Sequence, residues 1–422
     1  MLALLLALAT TPARAGEPAA PHDAVSRLKQ KIAALVGHDP ALSGSSVGVY
    51  LKTSDTARVL YARNADTPMI PASNFKVLTT ATALAYLGPE FRFRTEVLGP
   101  QPDAQGVVHG SVFLRGNGDP TLVEPWTRPA LGPFYEFADA MKARGVRAIE
   151  GDVVGDDSAF DRDFLGRGWL KRYLMCDYAP EVGALSINGN VMSLTVAGDR
   201  IKTFPPLLGK MPVRRIASRG GVPSVSRQYN SDCLVVSNFK GKPIATSLTM
   251  HDPPLYTTNS FMSVLESSKI GVSGQPRLIN DNELPLPNSL ISYAHHDSAP
   301  LLKILKQICK HSDNLFAQHV FKAIGWKQFG KGTLGNSARG IQEFMESQGV
   351  DTTGLQVADG CGLSVLDRVT PRQFVELLDA MSRRQDGNLF KSTLSVAGKD
   401  GTLAGRLVGL PVIGKTGTID GN

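Results

Sequence analysis

A serine and a lysine three residues apart, Ser73 and Lys76, stand at the head of a run built for burial. Pro71-Ala72-Ser73-Asn74-Phe75-Lys76 leads into an Ala-, Thr- and Leu-rich stretch ending at Leu87. Proline just before it and the apolar run after it predict a buried helix whose first turn holds both residues. Spacing of three places the two side chains on one helical face, and the apolar flanks turn that face inward. A lysine so placed must find partners or give up its proton, because burial penalises the ammonium. On its own, Ser-x-x-Lys also fits an idle surface pair.

Two later patterns change the weight of the first. Ser312-Asp313-Asn314 lies in Lys310–Phe316, at a junction between helical segments, and Lys415-Thr416-Gly417 follows Pro411, Val412 and Ile413, a strand-like approach. Ser312 and Asn314 offer a hydroxyl and an amide to a cleft, although a helix N-cap is the structural alternative. Lys415 is a second ammonium, whose charge lowers the pKa of Lys76 until the neutral amine can accept the serine proton. Gly417 lets a substrate backbone approach closely. In this order the three patterns form the set that marks serine β-lactamases and penicillin-binding proteins.

Two other motifs match by letters alone. Gly409–Thr416 satisfies the phosphate-loop pattern, but such a loop needs a helix of several turns starting at its lysine, and Gly417 and Gly421 follow instead. No nucleotide is therefore expected. Gly44-Ser45-Ser46-Val47-Gly48 fits a nucleophile elbow, which requires a strand before and a helix after; the surrounding pattern is the reverse. The eight histidines show no metal-ligand spacing, and His295-His296-Asp297 reads as a solvated connector. No metal and no cofactor are expected.

At 422 residues, 42% apolar and 20% charged, the chain is long enough for several domains with at least one full core. A charge of +7 favours anionic partners, but the basic residues read as spread along the chain, so no nucleic acid is expected. Cys176, Cys233, Cys309 and Cys361 lie far apart and allow at most two disulfides. Leu2–Ala9 is apolar and precedes Ala13-Arg14-Ala15, which reads as a signal peptide over 1–15 and an exported chain, in the periplasm or on the outer face of the cytoplasmic membrane. No later stretch is apolar for the 18 residues that a membrane span needs. Asp23–Val36 is an amphipathic helix and Ser46–Leu51 and Arg58–Arg63 a pair of strands. From about 95 to 290 short β-like runs alternate with Gly, Pro and Asp clusters. A helix follows Pro253-Pro254, and helical character returns at Ala299–Ile324, Thr333–Gln348 and Thr370–Arg383. The fold class is α/β (α+β) and multidomain.

Beyond the three motifs, Arg115–Leu122, Gly155–Ser158, Tyr178–Pro180, Asp359-Gly360-Cys361-Gly362-Leu363-Ser364 and Thr370-Pro371 make the chain resemble the class C low-molecular-mass penicillin-binding proteins, the D-alanyl-D-alanine carboxypeptidase/endopeptidase family. That family carries large insertions between its first two motifs, here 239 residues apart. The resemblance implies a transpeptidase-like domain split into 16–95 and 288–422, with β-rich domains inserted at 96–287. It implies Ser73 as acylated nucleophile, Lys76 as its base, Ser312 as proton carrier to the leaving amine and Asn314 as a holder of peptide and lysine. Lys415, Thr416 and Thr418 would bind the terminal carboxylate of D-Ala-D-Ala beside Gly417, and the N–H groups of Ser73 and Thr418 would form the oxyanion hole. The implied ligands are peptidoglycan peptides and β-lactams. Cys361 stands where the family more often has serine, which reads as a swap of one small residue for another. Family members continue after Lys-Thr-Gly with further strands and a closing helix, whereas five residues follow Gly417 here. Those elements are expected to be missing, which keeps an inactive peptidoglycan-binding fragment open as an alternative, beside a β-lactamase or esterase.

Overall fold

A computed structural model describes residues 21–206, 212–217 and 221–419; the 1–15 segment expected as a leader lies outside them. These residues form two compact units. The first comprises the chain to Pro89, Leu301–Ala317 and Ala338 onward; the second comprises Glu90–Pro300 and Gln318–Ser337. The α+β class expected from the sequence holds in both.

The first unit is organised around the helix Lys76–Leu87, in which every side chain from Lys76 to Leu84 is buried. A helix buried on all sides needs small residues to let neighbours approach, and alanine and threonine at 79–83 supply them. Two of the three buried hydroxyls are bonded: Thr79 Oγ1 donates to the Gly360 carbonyl at 2.7 Å, and Thr80 Oγ1 lies 3.2 Å from Cys309 Sγ, while Thr82 Oγ1 is buried without a partner among the described residues. Gly88 ends the helix at φ +81°, a conformation that costs glycine nothing. Leu301–His311, Pro371–Arg383 and Gly387–Thr393 pack around it. Thr370 caps the second of these: its side chain accepts from the Gln373 N–H at 3.0 Å, while Gln373 returns a bond to the Thr370 N–H at 2.9 Å. Removing such a cap costs about 1 kcal/mol. The same helix holds the antiparallel ribbon Val49–Lys52/Val59–Arg63 through Lys52, which pairs with Glu376 and Asp379 at 2.6 Å each.

In the second unit a five-stranded sheet runs in the order Pro276–Leu278, Val153–Asp156, Val112–Gly116, Arg94–Gly99, Ile291–Asp297. The first three strands are parallel and the last two join antiparallel. Helices Gly132–Ala143 and Pro253–Ser267 cover it, and Phe134, Phe137 and Phe261 form an edge-on cluster in the core between them. Besides a short parallel sheet of Gly271–Val272, Ala148–Ile149 and Val107–Val108, two longer three-stranded sheets complete the unit. One pairs Ile244–Thr249, Val191–Ala197 and Arg200–Phe204; the other pairs Val213–Ile216, Leu234–Ser237 and Ser224–Arg227. Their inward residues, Met192, Leu194, Val196, Val225, Leu234 and Val236, belong to the same core.

Three sequence readings are corrected here. His295 and His296 lie within the strand Ile291–Asp297, paired with Glu96 and Thr95, not in a connector. Gly132–Ala143 is a helix inside a region read as β-rich. Ser73 sits on a 3₁₀ turn, Ala72–Phe75, and the α-helix starts only at Lys76. Among the described residues no helix is long and apolar enough to cross a membrane.

Candidate active site

The 3₁₀ turn is what brings serine and lysine together. In that geometry residues i and i+3 eclipse, and Lys76 Nζ lies 3.1 Å from Ser73 Oγ. The amine has two further partners, Asn314 Oδ1 and the Cys361 carbonyl, both at 2.6 Å. Lys76 is wholly buried, and burial pushes its pKa below the ordinary lysine range, against the pull of the nearby carboxylates Asp359 and Asp313.

Ser312 and Asn314 flank the start of the helix Asn314–Phe329. The capping alternative is resolved by the residue between them: Asp313 Oδ1 accepts from the Phe316 N–H at 3.1 Å, and Oδ2 accepts from Gln307 at 3.1 Å. Ser312 adopts φ +60° at the break between two helices, and its hydroxyl is left for the site. Lys415 Nζ donates to it at 2.9 Å and to the Thr416 carbonyl at 2.7 Å.

Lys415 follows the strand Ile413–Gly414, which pairs antiparallel with Ser395–Val396. It is 1% exposed, and burial, aided by the charge of Lys76, pushes its pKa down to about 7. Thr416 Oγ1 bonds Thr402 Oγ1 at 2.9 Å, while Thr418 is exposed. The close approach that Gly417 permits is to the chain itself: a Cβ there would stand 2.9 Å from both the Pro71 carbonyl oxygen and Asn74 Nδ2, and 3.0 Å from Asn74 N. The Lys415–Thr418 segment thus lies directly against the turn that carries Ser73. Residues 415–419 hold no helical turn, so the phosphate-loop geometry is not formed at Gly409–Thr416.

The role of the Asp359–Ser364 loop escaped sequence reasoning, because its contribution is a backbone carbonyl. Asp359 accepts the N–H groups of Cys361, Gly362 and Ser364 at 2.9, 2.6 and 2.8 Å, folding the loop so that the Cys361 carbonyl faces Lys76. Gly362, at φ +80°, presses so closely on Ala72 that a Cβ would stand 1.8 Å from its carbonyl oxygen. The Cys361 thiol is buried and its pKa is pushed well up by burial and by Asp359, the environment of an inert thiol. Among the described residues no cluster of three His, Cys, Asp or Glu is arranged to hold a metal ion.

All five sequence-selected catalytic candidates, Ser73, Lys76, Ser312, Asn314 and Lys415, therefore converge within the first unit. The model of the D-Ala-D-Ala carboxypeptidase 3 (S13) family matches residues 28–421. The chain belongs to the S13 family. Membership makes it an enzyme, a serine-type D-Ala-D-Ala carboxypeptidase of the penicillin-binding class. A D-alanyl-D-alanine carboxypeptidase of Actinomadura sp. (strain R39) is 30% identical over 432 residues, covering 94% of this chain and 77% of the relative. The crystal structure of penicillin binding protein 4 (dacB) from Haemophilus influenzae matches at a TM-score of 0.75 and 26% identity, covering 94% of this chain and 87% of that one. The same protein complexed with a β-lactam shares the fold at a TM-score of 0.71, 24% identity and the same coverage. These likenesses agree with the S13 assignment over the length of both units.

Proposed function

We propose that this S13 enzyme cleaves the D-Ala-D-Ala bond of peptidoglycan stem peptides through an acyl-Ser73 intermediate, and that β-lactams acylate the same serine. One observation carries the reading: Lys76 Nζ is held at 2.6 Å by two groups that can only accept, Asn314 Oδ1 and the Cys361 carbonyl. A neutral amine has two N–H donors and one lone pair. Those carbonyls take both donors, which leaves the lone pair directed at Ser73 Oγ.

Ser73 Oγ then attacks the carbonyl carbon of the penultimate D-Ala as its proton passes to Lys76. The developing oxyanion sits on the N–H groups of Ser73 and Thr418; removing one such donor typically costs about 10²–10³ in rate. Lys415, Thr416 and Thr418 bind the terminal carboxylate. Ser312, bonded to Lys415, gives its proton to the departing D-Ala amine and takes up in turn the proton that Lys76 received from Ser73, and water later cleaves the ester. A cross-link differs only in what occupies the leaving side, so DD-endopeptidase activity belongs to the same proposal. We read the split catalytic domain as 16–95 with 288–422 and the insertion as 96–287, and the chain as exported to the wall compartment.

The test is mass measurement after incubation with a fluorescent penicillin, together with D-Ala release from a soluble stem pentapeptide. A stable adduct on wild type and none on Ser73→Ala is expected. Rapid loss of the adduct with free penicilloate would favour a β-lactamase, and an adduct on Ser73→Ala would sink the assignment of the nucleophile.

A further inference from the structure

The basic residues, read from the sequence as spread, are in fact unevenly distributed in net charge. Residues 199–242 hold nine basic residues against two acidic ones, a balance of +7; the remainder of the chain is formally neutral. Of the nine, Arg227 is buried and paired with Glu181. Arg200, Lys202, Arg214, Arg215, Lys240 and Lys242 are exposed.

One of these cations, Lys202, lines an open groove of about 500 Å³ on the outer face of the sheet formed by Ile244–Thr249, Val191–Ala197 and Arg200–Phe204. Alternation along the strands fixes what faces outward. The register sets Ser193 between Ser247 and Phe204, and Thr195 between Ala245 and Lys202. The centre of the face carries only short side chains, with Ser193 Oγ 3.3 Å from Ser247 Oγ. One wall is higher: Lys202 and Phe204, the latter 43% exposed, with Arg200 next along the strand. An aromatic ring at the edge of a hydroxyl-lined trough suits the face of a sugar ring, and the neighbouring cations suit carboxylates. A lipid surface would call for a broad apolar face instead, and only Phe204 supplies one here.

We propose that this trough binds the peptidoglycan strand itself, a glycan bearing carboxylate-rich peptides, and so retains the enzyme on its polymer. The proposal rests on the carboxypeptidase reading, and its test separates the two. Retention on isolated sacculi is measured by sedimentation, with Ser73→Ala to prevent turnover, at low and high salt. Lys202→Glu combined with Phe204→Ala should weaken retention by about tenfold and flatten its salt dependence. Ser193→Trp, which fills the trough without altering charge, should cause a comparable loss. The same substitutions in the Ser73 enzyme should leave turnover of a soluble pentapeptide unchanged, which also reports that the variants fold. Unchanged retention in both variants overturns the proposal, as does equally tight binding of wild type to phosphatidylglycerol vesicles. Absence of D-Ala release from the soluble peptide by wild type would instead overturn the carboxypeptidase reading.

Discussion

Gly417→Ala isolates what the contact between the Lys415 segment and the Ser73 turn is worth. The added methyl would stand 2.9 Å from the Pro71 oxygen and 3.0 Å from Asn74 N, where ordinary contact begins near 3.4 Å. The overlap is therefore about 0.5 Å, and neither neighbour retreats easily. Both are backbone atoms of a tight turn, closed by an Asn74 N–H bond to the Pro71 carbonyl. The strand must move instead, taking Lys415 and Thr418 with it. Misplacement of reacting groups by 1 Å costs on the order of 100-fold, so half of that predicts about a tenfold loss. Gly417 does not adopt positive φ, so the penalty is spatial and not torsional. The assay is the second-order rate of acylation by a fluorescent penicillin. Gly405→Ala is the control, since no atom lies within 4 Å of a Cβ there. Acylation of Gly417→Ala at the wild-type rate would refute the argument that this contact sets the site.

Two further outcomes follow from the buried amines. Lys415, with its pKa near 7 in the fold and about 10.5 when unfolded, is protonated in both states below pH 7, whereas between those values only the unfolded chain holds the proton. Stability from this group therefore rises with pH across that window, by at most about 1.4 kcal/mol per pH unit. The melting temperature of Lys415→Met, measured relative to wild type by calorimetry, should fall as pH rises from 7 towards 10; a constant gap would contradict the shift. Asp359 favours the charged form of Lys76, so Asp359→Asn lowers the Lys76 pKa further and moves the acidic limb of the acylation pH–rate profile to lower pH. It also loosens the Cys361 carbonyl and slows acylation by about tenfold, and an unmoved limb would show that Asp359 does not act on Lys76.

The legible part of this protein was the part written in side chains. Ser73, Lys76, Ser312, Asn314 and Lys415 could be singled out because serine, lysine and asparagine in apolar or junctional settings have few structural uses. The Cys361 carbonyl could not, because a backbone oxygen has no letter. Its aim depends on Asp359 gathering three N–H groups and on Gly362 fitting against Ala72. Pro71 marked where the Lys76 helix begins, yet the 3₁₀ turn that opens at Ala72, with its φ of +49°, was invisible, since nothing in Ala-Ser-Asn-Phe forbids a regular helix. The helix Gly132–Ala143 was hidden by glycines and prolines around it, although Phe134, Phe137, Ala138 and Met141 keep helical spacing. His295 and His296 interrupt the alternation by which a strand is recognised; pairing with Arg94–Gly99 overrides that local preference.

The helix Lys76–Leu87 also has a place in time. Its neighbours Leu301–His311, Pro371–Arg383 and Gly387–Thr393 all come from residues made more than 200 positions later, and Lys415 follows Leu87 by about 330. At a ribosomal pace of roughly 5–20 residues per second, that interval is about 15–65 s. During it a segment with no polar face has no permanent cover, while the second unit can already complete its own core. Newborn chains therefore pass through a state in which the serine proposed as nucleophile is carried beside an uncovered apolar stretch, and holding that stretch apart is a task for whatever escorts the chain during synthesis.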